Sequence, residues 1–185
     1  IQNGIVLVTN DRIVAVGPAA SVRVPADARR LDLGDVTLMP GFIDLHVHLI
    51  GREVEDAGYV PGPRLQVAGH SLGITGGHCD ENNYQPGLFD KSPESGIADG
   101  VDEVRYAVRY QVKYGADVIK TCATAGVLSG GTQGIGASQY SVEELEAMVN
   151  EARTLGRKVA AHAHGAEGIT RAVRAGVASI EHGSF

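Results

Sequence analysis

No apolar run in this chain approaches the ~20 residues that a membrane-spanning helix needs, which excludes a transmembrane segment. Lysine and arginine form no cluster, and the net charge is -6 with a pI near 5.6. A surface that tracks phosphates is therefore not expected; nucleic acid is a poor partner and a small molecule a good one. Cysteine is scarce. Cys79 and Cys122 stand far apart and match no paired zinc or redox spacing, so the sequence predicts two ordinary thiols rather than a disulfide framework. No methionine opens the chain: Ile1 begins inside what reads as a strand, so a truncated beginning or a removed signal peptide stays open. The compartment stays open with it, the cytoplasm being the default, and so does the oligomer, a homo-oligomer included. What is present is 185 residues, 43% hydrophobic and 21% charged, enough to bury one substantial core.

Ile5–Val8 and Ile13–Val16 alternate with a polar turn at residues 9–12, the pattern of a hairpin. Pro18 and Pro25 punctuate the loop that follows, and a short apolar run, Val36–Met39, ends at Pro40-Gly41. Residues 1–40 thus read as a small β unit too thin to form a core alone. From Phe42 the pattern changes. Strands are expected at Phe42–Leu49, Arg64–Ala68, Asp117–Thr121, Val159–Ala163 and Ala178–Glu181. Helices are expected at Val101–Tyr114, with Asp99 as N-cap and Gly115 as stop, after the capping-box pair Ser141/Glu144 up to Gly156, and at Ala166–Ala175. A long Gly-, His- and Asn-rich loop runs through Ser95. Strand-helix alternation of this kind builds a parallel sheet or an α/β barrel. One interval breaks it: Ile50–Pro63 is too short for a packed crossover of the barrel type. Either residues are missing after about Ile50, or the flanking strands are not neighbours.

The chemistry-bearing residues recur at strand ends. His46 and His48 lie at i and i+2, so both side chains leave one face of their strand and can chelate one ion. Lys120 closes Ala116–Lys120, His162 and His164 close the next strand, and His182 the last. A barrel with its chemistry on the C-terminal ends of its strands gathers these groups around one mouth, which points to a metal-dependent hydrolase. Each residue alone has a plainer reading: a rim or core histidine, a snorkelling lysine, or, for His78 on the long loop, a solvated side chain.

Pro40-Gly41-Phe42-Ile43-Asp44 ahead of His46-Val47-His48 resembles the run that opens the barrel in the amidohydrolase superfamily. The chain is most similar to the subgroup of imidazolonepropionase and metal-dependent Xaa-Pro dipeptidases. The resemblance implies a TIM-type (β/α)8 barrel over residues 41–185, incomplete here through a gap after about residue 50 and missing C-terminal strands, with residues 1–40 as part of a composite β-sandwich. It implies two divalent ions, Zn²⁺ by preference, held by His46, His48, His162, His182 and Lys120. The lysine becomes a ligand by adding CO2, since a carbamate, unlike an ammonium, is an anionic oxygen donor. His78 and His164 would contact substrate. The reaction implied is hydrolysis of an amide in a dipeptide or N-acyl amino acid by a metal-bridging hydroxide. Cyclic-amide hydrolysis or deamination of the imidazolonepropionase type is the alternative within enzymes, and an inactive fragment the alternative outside them. The family's proton-shuttling aspartate follows a later strand; Asp44, Asp80 and Asp117 do not occupy its place.

Overall fold

The computed structural model describes residues 1–44, 46, 62, 64–128 and 134–184, in two compact units, Ile1–Asp44 and Leu45–Phe185. In the first unit β1 (Gly4–Thr9) pairs antiparallel with β2 (Arg12–Pro18). Asn10 and Asp11 both adopt left-handed backbone, φ 46° and 63°, the pair of positive angles that a two-residue hairpin turn requires. The strands leave Val8, Ile13, Val14 and Val16 exposed, and the Val36–Met39 run is exposed as well.

In the second unit the elements are α1 (Gly100–Lys113), β3 (Val118–Cys122), α2 (Val142–Thr154), β4 (Lys158–Ala163), α3 (Ala166–Ala175) and β5 (Ser179–His182). The three α-helices end at glycines, the expected stops Gly115 and Gly156 and also Gly176, with φ of 94°, 70° and 90°, angles that cost a residue with a Cβ. At the start of α2, the Ser141 hydroxyl accepts from the Glu144 N–H and the Glu144 carboxylate accepts from the Ser141 N–H. Asp99 precedes α1 without capping it through its side chain. Its carboxylate instead takes the N–H and hydroxyl of Thr75, fastening the long loop.

The strands β3, β4 and β5 form a parallel sheet in that order, and α2 and α3 make the crossovers. A single core of α1 side chains Val104, Ala107 and Val108, the buried strand residues Ile119, Val159 and Ala161, and α2 residues Leu145 and Met148 joins the layers. Arg64–Ala68 is not a strand, against expectation. The segment still lies along the free side of β3, because the N–H groups of Asp117 and Val118 reach the Val67 carbonyl and Leu72 bonds both Lys120 and Cys122. Gly69, φ 66°, breaks the extended run between those contacts. A Cβ there would come within 2.5 Å of Gln111 Oε1, the oxygen that accepts from the His70 N–H. Half of the expected Phe42–Leu49 strand falls outside the described residues; Phe42–Asp44 and His46 carry no strand, and Phe42–Asp44 are exposed.

The cysteines correct the sequence reading outright: Cys79 and Cys122 form a disulfide, with Cα atoms 6.2 Å apart across 43 residues. Spacing along the chain could not show this, since the long loop folds back on β3 through contacts far apart in sequence. Closing a loop of 43 residues removes unfolded-chain entropy worth about 4 kcal/mol. The Cys79→Ser/Cys122→Ser protein should therefore melt roughly 8–16 °C lower in a calorimetric scan, by the usual entropy of unfolding for a domain of this size.

Candidate metal centre

Register decides which side chains share a face. Cys122, His162 and Glu181 form one row across the sheet, and Lys120, Ala160 and Ser179 the row below. Residues in one row, and those two apart on a strand, point the same way. Lys120, Cys122, His162, His164 and Glu181 therefore emerge together at the C-terminal end of the sheet. His182 pairs with Ala163 and by alternation belongs to the opposite face. It joins the cluster because its φ of 73° ends the strand's alternation and redirects the side chain.

Three imidazoles, His162, His164 and His182, offer ligand atoms within 4.8 Å of one another. The ring of His162 lies edge-on to both others, at 4.8 Å from each centroid. His46 lies 4.8 Å from the His182 ring, and its Nδ1 is 3.4 Å from Lys120 Nζ. His78 stacks on His162 at 4.2 Å, so it is no solvated loop side chain. His48 lies outside the described residues. Of the sequence-derived residues that are described, His46, His78, Lys120, His162, His164 and His182 are all brought to one place.

Burial and mutual repulsion keep the His162 and His182 imidazoles neutral. Burial is the main reason the His162 pKa falls to about 4, reinforced by the neighbouring imidazoles and opposed by its bond to the Ala125 carbonyl. Since that carbonyl only accepts, Nε2 carries the proton, 3.2 Å away, and Nδ1 keeps its lone pair. His182 is also lowered, by partial burial first and then by His46, His164 and Lys120. The neutral imidazole is the form that can ligate a divalent cation.

Glu181 is the residue that sequence reasoning passed over. Its carboxylate bonds Lys120 Nζ and pairs with His46 Nδ1. Burial would raise its pKa, but Lys120 and His46 outweigh that and hold it below the usual carboxylate value. Only its place beside His182 at a strand end hinted at it. Of the other acids, Asp80 accepts from the Gly76 and Glu81 N–H groups and Asp117 from Val67.

The His78 ring occupies space that only a glycine leaves open. A Cβ on Gly126 would meet three of its ring atoms at 2.3–2.6 Å. Gly126→Val should push the ring off His162, so that carbethoxylation of His78, followed by mass spectrometry, runs faster than in the unaltered protein.

Comparison with known proteins identifies relatives of the chain. The Amidohydrolase family matches residues 50–185. Ochratoxinase of Aspergillus niger is 39% identical over 150 residues, covering 74% of this chain and 31% of that protein. Among solved structures, a Xaa-Pro dipeptidase with methionine bound in its active site superposes with TM-score 0.66 at 45% identity, covering 71% of this chain and 33% of that one. A prolidase complexed with N-methylphosphonate-L-proline gives TM-score 0.63 at 39% identity, with 70% and 33% covered. The chain thus spans about a third of the length of these relatives. Among the described residues, no helix is long and apolar enough to cross a membrane.

Proposed function

This chain belongs to the amidohydrolase family, and from that premise we propose that the protein hydrolyses the amide bond of a dipeptide or N-acyl amino acid in a TIM-type barrel. The observation that carries the reading is the meeting of His46, Lys120, His162 and His182 at one end of a parallel sheet. These residues would hold the divalent ions, His48 joining His46, with Lys120 contributing as its carbamate. A divalent ion held there, Zn²⁺ by preference, would supply Lewis acidity toward a carbonyl and toward water near neutral pH.

The protein's own groups do the rest. Glu181 and His46 hold the Lys120 side chain in reach of the histidines. We assign His164, whose Nδ1 lies 3.2 Å from Ser184 Oγ, to contact with substrate. His78, held flat on His162, offers an imidazole to the substrate's carboxylate. Asp80 and Asp117 are committed to backbone N–H groups, so neither supplies the proton shuttle. Residues 1–40, which include the β1–β2 hairpin, we read as part of a composite β-sandwich.

The test is hydrolysis by the full-length, metal-loaded protein of Xaa-Pro dipeptides and N-acyl amino acids against cyclic imides. Turnover of the first two with a chelator-sensitive rate is expected. Preference for the cyclic imides, or full activity after metal removal, would overturn the assignment.

A further inference from the structure

We propose that the Cys79–Cys122 disulfide is a redox-governed clamp that seats His78 on His162 and thereby sets the enzyme's affinity for substrate. The inference rests on the amidohydrolase reading of the site and adds a mode of regulation to it.

The bridge lies in the working face. Cys122 is two residues beyond Lys120 and in register with His162, so its side chain leaves the sheet among the metal-site residues. Cys79 directly follows His78 in the middle of a long loop that has no regular structure from Thr75 to Ser92. One covalent bond thus joins the strand that presents Lys120 to the loop that presents His78.

Other contacts support that loop, the Thr75–Asp99 bonds at its start and several beside the bridge. Gln139 Oε1 accepts from the His78 N–H at 3.1 Å, Lys91 Nζ donates to the Cys79 carbonyl at 3.1 Å, and Asn82 Nδ2 donates to the Gly77 carbonyl at 2.8 Å. Gly73 approaches so closely that a Cβ on it would lie 2.7 Å from Cys79 Cβ. Each of these is a single polar or packing contact, which local opening can break and water can replace. The disulfide opens only by chemistry.

Access favours attack from the loop side. Cys122 is 3% exposed, while Cys79 is partly exposed. A cellular thiol as thiolate attacks the Cys79 sulfur and forms a mixed disulfide, with Cys122 leaving as thiolate and taking up a proton. A second thiol then releases Cys79 as a thiol, so two thiols are oxidised to one disulfide as the bridge gains two electrons and two protons. The clamp is closed under oxidising conditions and open under reducing ones.

The experiment uses full-length, metal-loaded protein with and without a water-soluble phosphine, which is oxidised to its oxide as water supplies the oxygen and the two protons. Mass spectrometry after alkylation reports the state of both cysteines. Expected on reduction are a KM for an Xaa-Pro dipeptide raised roughly tenfold to a hundredfold, a smaller change in kcat, unchanged metal content, and recovery on reoxidation. Amide exchange across residues 74–92 and carbethoxylation of His78 should both speed up, while β3–β5 stay protected. Cys79→Ser/Cys122→Ser should behave as the reduced enzyme and ignore the phosphine; if it fails to fold, the titration of the unaltered protein decides alone. Both cysteines alkylated before any reductant, or full reduction with KM, exchange and His78 reactivity all unchanged, would overturn the clamp. Absence of dipeptide hydrolysis in both states would instead count against the substrate reading, and the exchange and His78 reactivity would still decide the clamp.

Discussion

Lys120→Ala is expected to strip the protein of most of its bound metal and to lower amide hydrolysis by more than about 100-fold, a loss larger than removal of an outer partner gives. The side chain is nearly buried between His46 and Glu181, and its contacts there are those of an ammonium. An ammonium binds no cation, so the residue serves a metal only after its nitrogen has gained CO2 and become an anionic oxygen donor. Two features separate this role from a structural ion pair. The unaltered protein should carry a 13C-labelled carbamate signal when loaded with metal under labelled CO2. A small carboxylic acid such as propionate should restore part of the metal to the variant by filling the vacated space with carboxylate oxygens. Normal metal content and rate in Lys120→Ala would end the carbamate assignment, leaving Lys120 as the partner of Glu181 alone.

His162→Ala should be as severe, and the contrast with His164→Ala is what gives it meaning. His162 touches the rings of His78, His164 and His182, and burial keeps it neutral with Nδ1 free to donate. Its removal should cost metal and lower the rate more than about 100-fold, while circular dichroism shows the fold retained. His164→Ala should keep the metal and raise KM, as the assignment to substrate contact requires; its imidazole Nδ1 lies 3.2 Å from Ser184 Oγ and its backbone N–H donates to Thr124 Oγ1. The three donors lie close enough to share one ion. If His164→Ala loses metal as completely as His162→Ala, His164 is a ligand and not a substrate contact.

Much of the α/β frame was legible in the sequence because its signals are local. The capping pair Ser141/Glu144 set the start of α2, and glycines at 115, 156 and 176 set where the three helices stop. Apolar spacing found α1, although the buried face proved to include Ala107 and Gln111, the latter because its amide satisfies the His70 N–H and the Glu94 carbonyl. Arg64–Ala68 was misread for a related reason: its composition is that of a strand, but Gly69 and Gln111 together bend the segment away from regular pairing. The histidines were visible as residues at strand ends, with His162 and His164 two apart on one face.

By itself, then, the sequence determined the helices and the three paired strands between Gly100 and His182, and the donors at those strand ends, since alternation, capping and turn chemistry act over a few residues. Only the tertiary structure decided what those donors meet. Glu181 binds Lys120 across 61 residues and His46 approaches Lys120 across 74. Cys79 reaches Cys122 across 43, and His182 turns into the cluster through one left-handed residue that strand periodicity would place on the far face. Such contacts depend on how loops close over a packed sheet, a property of the whole fold that no window of residues contains.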